Sequence, residues 1–228
     1  IAYLRTLKNN GGPLFQEDYL DFIENIKLPD YKLTRENGDF KLEFEGPWAT
    51  GIYWETPALA TMNELYFRAI LGKMDSEQVA KIMKEGNNRL EEKVNVLKQN
   101  PGAKFMEFGT RRRLSAEHQE NVTRYLKENV PSQMIGTSNI YLAKTLGIAP
   151  KGTMAHETFM VMSGIMHGND DEIRASHNQV LQEWWDEYGA DLSIALSDTY
   201  GSEFFFKDMT EQQARDWKGQ RQDSGNPA

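Results

Sequence analysis

Polar residues recur in five loops of this 228-residue chain, and each loop follows a short stretch with an extended or apolar pattern. The loops span residues 108–113, 136–139, 152–157, 197–199 and 221–225. Their glycines let the backbone approach a ligand, while their Thr, Ser, Arg, His and Asp residues supply donors and charge. Because arginines and helix starts both bind anions, the combination predicts a site for a sugar that carries phosphate.

His156 is the candidate with the most distinctive chemistry. It follows a Gly-Thr turn at a predicted helix start. A lone histidine there is most often a capping or packed residue, but an ordinary pKa of about 6.5 also suits a nucleophile or a base. Asp198 could be a helix cap, or it could orient the ring of His156.

The other three histidines, at positions 118, 167 and 177, are predicted to lie in helix interiors. No histidine pair has metal-ligand spacing beside a carboxylate, so a zinc site is not expected, and no residue is assigned as a metal ligand.

Three consecutive arginines, Arg111, Arg112 and Arg113, follow a predicted strand. They cannot all point the same way, so at least one should face the site. The planar guanidinium binds phosphate or carboxylate through two hydrogen bonds, and such charged bonds contribute about 1.5–3 kcal/mol. Phe108 precedes them. It could belong to the core, or it could stack on an aromatic ligand.

Arg221 and Asp223 lie two residues apart, and on an extended backbone their side chains face the same side. They could form an internal salt bridge. Alternatively, Arg221 could bind an anionic substrate while Asp223 binds sugar hydroxyls or Mg²⁺.

The elements that position these loops are predicted from the flanking sequence. Extended stretches precede the loops at 104–107, 132–135, 148–150, 192–196 and 217–220, and helix-like stretches follow the first four loops. Repeated strand–loop–helix units predict parallel strands with loops at one end. The expected fold class is therefore α/β: an irregular TIM-like α/β barrel over residues 48–228, incomplete because the C-terminal part of the barrel is missing.

Residues 1–47 are expected to be part of a smaller N-terminal α+β domain. They include a hairpin, because Asn37-Gly38 favours a tight turn between two alternating segments. Residues 48–55 are expected to be extended before a helix that starts near Thr56-Pro57.

Composition excludes several classes of function. The net charge of −8 argues against nucleic acid as the main partner. Cysteine is absent, which excludes disulfides, thiolate nucleophiles and Cys-ligated zinc. No apolar run approaches the roughly 18 residues of a membrane span, so a cytoplasmic protein is expected. The chain begins at Ile1 and ends in a loop-like sequence, and we interpret it as a segment of a longer protein.

Long motifs in a fixed order resemble the bacterial nicotinate phosphoribosyltransferase family, over nearly the whole chain. They are Glu55-Thr56-Pro57, Phe108-Gly109-Thr110-Arg111-Arg112-Arg113, Gly136-Thr137-Ser138-Asn139, Gly152-Thr153-Met154-Ala155-His156-Glu157 and Arg221-Gln222-Asp223-Ser224-Gly225-Asn226-Pro227. The resemblance implies an enzyme of NAD salvage that joins nicotinate to 5-phosphoribosyl-1-pyrophosphate. The products are nicotinate mononucleotide and pyrophosphate. It also implies coupling to ATP hydrolysis through a phosphohistidine, Mg²⁺ as a cofactor and a homodimer.

The resemblance assigns roles to single residues. His156 would be phosphorylated, Asp198 would support it, and Asp223 would contact the ribose hydroxyls as the third catalytic residue. Phe108 would stack on the pyridine ring, Arg111 would contact the sugar phosphate, and Arg221 would approach the pyridine substituent. The remaining substrate-binding residues are Thr137, Ser138, Ser224 and Gly225.

One position favours the acid over the amide as substrate. Nicotinamide-specific relatives carry an Asp where this chain has Ser138. A carboxylate there would repel nicotinate, whereas a hydroxyl can donate a hydrogen bond to it. A nicotinamide- or quinolinate-type phosphoribosyltransferase stays open, as does a non-catalytic fragment or paralogue.

Overall fold

The computed structural model of the chain describes residues 1–9 and 12–224, which form two compact units. Unit 1 comprises residues 1–7 and 13–151, and unit 2 comprises the other described residues, those of 8–12 and from Gly152 onward. The chain starts with helix α1 (Ala2–Thr6) and two short strands, β1 (Lys8–Asn9) and β2 (Gly12–Pro13). The two units are described separately below.

Unit 1 begins with helix α2 (Glu17–Asn25) and a hairpin of strands β3 (Tyr31–Glu36) and β4 (Asp39–Phe44). Asn37 and Gly38 have φ values of 52° and 95°. Two consecutive residues with positive φ are what the favoured two-residue hairpin turn requires. The predicted hairpin is therefore confirmed.

Residues 48–55 are helical, so the expected extended segment was wrong. They form helix α3 (Trp48–Gly51), a 3₁₀ turn (Ile52–Trp54) and the start of helix α4 (Glu55–Leu71). The Trp54 ring stacks on Phe44 with ring centroids 5.0 Å apart, and its Nε1 donates to the Pro29 carbonyl at 2.8 Å. These tertiary contacts outweigh the β propensity of the aromatic residues.

The second half of unit 1 holds a parallel strand pair. Helix α5 (Ser76–Gln99) starts with a capping box between Asp75 and Gln78 and leads to strand β5 (Phe105–Glu107). Helix α6 (Ala116–Asn129) connects β5 to strand β6 (Met134–Thr137), and helix α7 (Ile140–Leu146) follows. Apolar side chains pack beneath the pair, namely Met134, Leu142, Leu146 and Ile148, with Phe105 and Leu126 against them.

Unit 2 repeats the parallel arrangement. Helices α8 (His156–Ile165) and α9 (Asp170–Tyr188) precede strand β7 (Ile194–Leu196). Helices α10 (Ser202–Asp208) and α11 (Glu211–Asp216) then lead to strand β8 (Gly219–Arg221), which pairs in parallel with β7. The buried core consists of Met154, Phe159, Val180, Leu181, Ala195, Leu196, Phe205 and Trp217.

The structure confirms a mixed helix–sheet fold with parallel strand–loop–helix units. Among residues 104–107, 132–135, 192–196 and 217–220, each range overlaps a strand. Residues 148–150 contribute only an isolated bridge between Pro150 and Thr137. Within the described residues each sheet has two strands and none is closed, so the TIM-like barrel stays a prediction, as does a domain boundary after residue 47. No described helix is long and apolar enough to cross a membrane.

Gly147 ends α7 in the left-handed region, and a substitution there tests this backbone conformation. Its φ is 61°, its N–H bonds the Ala143 carbonyl, and a Cβ would meet no atom within 4 Å. We expect Gly147→Ala to lower the free energy of unfolding by about 1–2 kcal/mol, because only backbone strain is added. Urea unfolding measures the change.

Gly86 provides the matched control. It lies inside α5, and a Cβ there also meets nothing within 4 Å. Gly86→Ala should raise the free energy of unfolding by about 0.5–1 kcal/mol. A Gly147→Ala variant as stable as the parent would contradict the left-handed conformation.

Candidate active site

In unit 2 the imidazole of His156 contacts the carboxylate of Asp198. His156 is the first residue of α8, after an extended Ala155, and Asp198 lies two residues beyond the end of β7. His156 Nε2 is 3.2 Å from Asp198 Oδ1. The His156 side chain is 35% exposed, whereas that of Asp198 is 6% exposed. When Nε2 carries the proton that faces Asp198, Nδ1 holds the ring's lone pair and can act as a nucleophile.

The other oxygen of Asp198 binds the loop that follows β8. Asp198 Oδ2 accepts from the Ser224 N–H at 2.9 Å and from the Ser224 hydroxyl at 2.7 Å. Burial opposes ionisation of Asp198, but the hydrogen bonds from Ser224 and His156 outweigh it and lower the pKa of this carboxyl. Asp198 is therefore ionised at neutral pH, when it can hold His156 in one orientation.

Arg221 ties the end of β8 to the 152–157 loop. Its Nη1 donates to Thr153 Oγ1 at 2.7 Å, and its Nη2 donates to the Met154 carbonyl at 3.2 Å. Its Nε lies 3.5 Å from Asp223 Oδ1, and this buried N–H has no hydrogen-bond acceptor among the residues that the structure describes. Arg221 and Asp223 thus form the ion pair that the sequence left open, with one guanidinium N–H still unsatisfied.

Three of these side chains could together hold a cation. One donor atom each from His156, Asp198 and Asp223 lie within 4.8 Å of one another. Asp223 is the most exposed of the three. Carboxylate oxygens suit Mg²⁺, and an imidazole extends the choice to transition metals. Sequence spacing gave no sign of this cluster, because its members come from three separate loops.

Unit 1 places the other candidates around the ends of β5 and β6. Phe108 directly follows β5 and is 52% exposed. Arg111 forms an ion pair with Glu55 at the start of α4. The exposed Arg112 makes no side-chain ion pair within the described residues.

Arg113, the third arginine, lies close to acceptors on two helices. Its Nη1 is 3.4 Å from Gln119 Oε1, and its Nη2 is 3.7 Å from Glu64 Oε2. Arg111 and Arg113 thus contact two different carboxylates of α4, Glu55 and Glu64.

Thr137 and Ser138 lie where β6 ends. Thr137 is fully buried, and its hydroxyl donates to Glu107 Oε2 at 2.7 Å and accepts from the Asn139 N–H at 3.0 Å. The Ser138 N–H donates to the Glu107 carbonyl at 3.0 Å. Substrate contacts by Thr137 and Ser138 stay predictions, and the observed bonds of Thr137 hold its own loop.

Glu107 is the residue that the sequence analysis missed. It was considered only as the end of a strand, although a carboxylate in the last position of a short apolar strand is itself unusual. In the structure it accepts hydrogen bonds from three segments of unit 1.

The remaining histidines and one glycine complete the comparison with the sequence. His177 is buried, with Nδ1 2.5 Å from Asp208 Oδ2, and it stacks on Phe159. His118 lies in the first turn of α6. The predicted helix interior was wrong for His167, because α8 ends at Ile165. Gly225 lies outside the described residues.

The sequence model of the nicotinate phosphoribosyltransferase (NAPRTase) family matches residues 103–228, which is more than half of the chain and includes every predicted site residue. The chain belongs to this family.

Solved structures agree with the family. The chain is similar to nicotinate phosphoribosyltransferase from Porphyromonas gingivalis, with a TM-score of 0.78 and 28% identity over 93% of this chain and 52% of that one. For nicotinate phosphoribosyltransferase from Vibrio cholerae, the TM-score is 0.78 and the identity 25%, over 99% of this chain and 55% of that one. For a putative nicotinate phosphoribosyltransferase from Saccharomyces cerevisiae, the TM-score is 0.75 and the identity 28%, over 99% of this chain and 58% of that one. The chain thus spans about half the length of these NAPRTase structures.

The lowered pKa of Asp198 predicts how the stability of this NAPRTase chain depends on pH. A pKa that is lower in the folded state means that the carboxylate stabilises the fold above its unfolded pKa of about 3.9. This contribution is lost as the pH falls through the folded value. We expect Asp198→Asn to cost about 1.5–3 kcal/mol at pH 7, because an amide cannot accept hydrogen bonds at both positions.

Urea unfolding of the two proteins between pH 7 and pH 2 measures this difference. The difference in free energy of unfolding between the parent and Asp198→Asn should become smaller below about pH 4. Asp216→Asn is the control, since this exposed carboxylate at the end of α11 accepts a hydrogen bond from Gln212 one turn away on the same helix. A difference in free energy of unfolding that stays constant down to pH 2 would contradict the lowered pKa of Asp198.

Proposed function

We propose that the protein containing this chain joins nicotinate to 5-phosphoribosyl-1-pyrophosphate, giving nicotinate mononucleotide and pyrophosphate. ATP hydrolysis drives the reaction through a phosphohistidine at His156. The observation that carries this proposal is the contact of His156 with a buried, ionised Asp198 at the first turn of α8. It lies within the part of the chain that the NAPRTase family matches.

The geometry of this pair supports phosphorylation of His156. With the Nε2 proton directed at Asp198, Nδ1 attacks the γ-phosphorus of ATP. An N–P bond forms as the bond to the β,γ-bridging oxygen breaks, and ADP leaves with that electron pair. Asp198 stabilises the positive charge that the ring acquires. The N-terminus of α8 favours the negative phosphoryl group, since its backbone N–H groups and dipole attract anions.

In the transfer step, the pyridine nitrogen attacks the anomeric carbon while pyrophosphate leaves. Positive charge builds on the ribose ring, and the half-exposed carboxylate of Asp223 would stabilise it and bind the ribose hydroxyls. Mg²⁺, when bound, would neutralise part of the charge of the leaving pyrophosphate. The carboxylate oxygens of Asp198 and Asp223 fit such a cation, because they are hard donors that lie within 4.8 Å of each other.

The remaining site residues take the roles that family membership suggests. The exposed ring of Phe108 would stack on the pyridine, and Arg111 would bind the sugar phosphate. In unit 1, Ser138 would donate to the nicotinate carboxylate. For Arg221 in unit 2, the proposed role is to approach the pyridine substituent. Thr137, Ser224 and Gly225 complete the proposed substrate-binding set.

The complete protein would also have features that half of a chain does not establish. We include in the proposal a TIM-like barrel, a cytoplasmic homodimer, and nicotinate, phosphoribosyl pyrophosphate and ATP as its ligands. The parallel strand pairs and the TM-scores of 0.75–0.78 to the NAPRTase structures support the barrel.

The phosphohistidine is tested with His156→Ala in the complete protein. We expect ATP hydrolysis during synthesis to be abolished, while slow ATP-independent synthesis of nicotinate mononucleotide continues, because the transfer site is left intact. Mass spectrometry after incubation with ATP should detect the N–P adduct in the parent only.

His167→Ala is the control, because this ring lies past the end of α8 and its Nδ1 is bonded to the Gly164 carbonyl. Assays with nicotinate, nicotinamide and quinolinate establish the substrate, and only nicotinate should give product at a high rate. ATP coupling that survives in His156→Ala would reject the assignment. Absence of product from all three pyridines would reject the proposed function.

Arg221→Ala tests binding of the pyridine carboxylate. Loss of a charged hydrogen bond, about 1.5–3 kcal/mol, corresponds to a rise in nicotinate KM of roughly 10- to 150-fold. Steady-state kinetics at saturating phosphoribosyl pyrophosphate provide the measurement. Arg215→Ala is the control, since Arg215 is exposed and pairs only with Glu211 on the same helix. An unchanged KM in Arg221→Ala would remove Arg221 from the nicotinate pocket.

A further inference from the structure

The carboxylate of Glu107 joins three segments of unit 1. Its Oε1 accepts from the Gly109 N–H at 2.7 Å and from Gln119 Nε2 at 2.9 Å, and its Oε2 accepts from Thr137 Oγ1 at 2.7 Å. Two of these partners are almost completely buried, Thr137 at 0% exposure and Gln119 at 5%. The contact thus connects the 108–113 loop to the 136–139 loop through α6.

The strand register places two predicted substrate residues side by side. In the parallel pair, Glu107 is opposite Thr137, so the next residues, Phe108 and Ser138, leave the sheet together. The Ser138 N–H bonds the Glu107 carbonyl at 3.0 Å. The backbone and the side chain of Glu107 therefore both fix the start of the second loop relative to the first.

The bond to Gly109 shapes the turn at Phe108. The Glu107 side chain closes on a backbone N–H two residues later, and Phe108 is left 52% exposed between them. A Cβ at Gly109 would lie 3.0 Å from Glu107 Oε1, so a larger residue would push against the carboxylate. The Gly109 in the motif thus permits the close approach of this side chain.

The hydrogen bonds also reduce the negative charge that Glu107 presents. Three donors share its two oxygens, and Gln119 and Asn139 both donate to Thr110 Oγ1 beside it, at 2.8 and 3.1 Å. The oriented dipoles of these donors weaken the field of the carboxylate, so it repels an anionic ligand less than a carboxylate without them. An anionic pyridine could therefore be bound next to it.

We infer that Glu107 is a positioning residue for pyridine binding, which sets the distance between the Phe108 ring and Ser138 without touching the substrate. This inference rests on the proposed function, because Phe108 and Ser138 take their roles from it. The length of the Glu107 side chain, rather than its charge, is then what pyridine binding requires.

Two conservative variants of the complete protein separate reach from charge. Glu107→Asp keeps the charge but is one methylene shorter, so it cannot reach Gly109 and Thr137 together. Glu107→Gln keeps the length, and its amide can donate to Thr137 Oγ1 while its oxygen accepts from Gly109. We expect nicotinate KM to rise at least tenfold in Glu107→Asp and less than threefold in Glu107→Gln, with kcat and the KM for phosphoribosyl pyrophosphate within twofold of the parent in both.

Hydrogen exchange gives a readout that does not depend on activity. Amides of residues 108–112 and 136–139 should exchange faster in Glu107→Asp than in the parent, while those of α9 should be unchanged. Glu92→Asp on the exposed face of α5 is the control and should alter neither kinetics nor exchange.

The outcomes distinguish the inference from the proposed function. If the parent protein forms no product from nicotinate, the proposed function is rejected. Faster amide hydrogen exchange in Glu107→Asp would still support the role of Glu107 in joining the two loops. An active parent with equal nicotinate KM in Glu107→Asp would overturn the inference. So would a larger loss in Glu107→Gln than in Glu107→Asp, because charge would then be the important property.

Discussion

The buried carboxylate of Asp198 is the contact on which the site in unit 2 depends. One oxygen faces His156 at the start of α8, and the other accepts two hydrogen bonds from Ser224 beyond β8. A buried charge is tolerated only when its hydrogen bonds are satisfied. Asp198 therefore stays ionised because Ser224 and His156 bind it, and its charge in turn strengthens those hydrogen bonds. Losing either loop would leave a carboxylate that prefers to be protonated, and a protonated acid does not orient an imidazole in the same way.

The parallel strands explain why such distant residues meet. β7 and β8 leave the sheet at the same edge, which brings Asp198 close to Asp223 and Ser224 although 25 and 26 residues separate them. In unit 1, β5 and β6 bring Phe108 and Ser138 together in the same way. Each strand is only three or four residues long, so the helices that pack against the pairs must supply most of the apolar burial.

Local signals were read correctly from the sequence, whereas long-range contacts were not. The turn at Asn37-Gly38 depends on only a few adjacent residues. Residues 48–55 became helical because Trp54 packs on Phe44 and bonds Pro29, neither of which is a neighbour in sequence. The motif around His156 suggested Asp198 as a partner, but no spacing rule indicated that Ser224 saturates its second oxygen or that Glu107 bridges two loops.

Asp198 and Glu107 use the same physical device in the two units. Each is a carboxylate at or just beyond the end of a strand, and each accepts hydrogen bonds from the neighbouring strand or the loop that follows it, Asp198 from Ser224 and Glu107 from Thr137. Proteins that bind phosphates and carboxylates cannot leave such anions unpaired, since like charges at short range raise the cost of binding. Hydrogen bonds from neutral donors stabilise the carboxylate while the two loops are held in register. They differ from pairing with arginine, because Ser224, Thr137 and Gln119 carry no charge of their own. Arg221 is the contrasting case: it forms an ion pair with Asp223, whereas Asp198 is satisfied by Ser224 and His156.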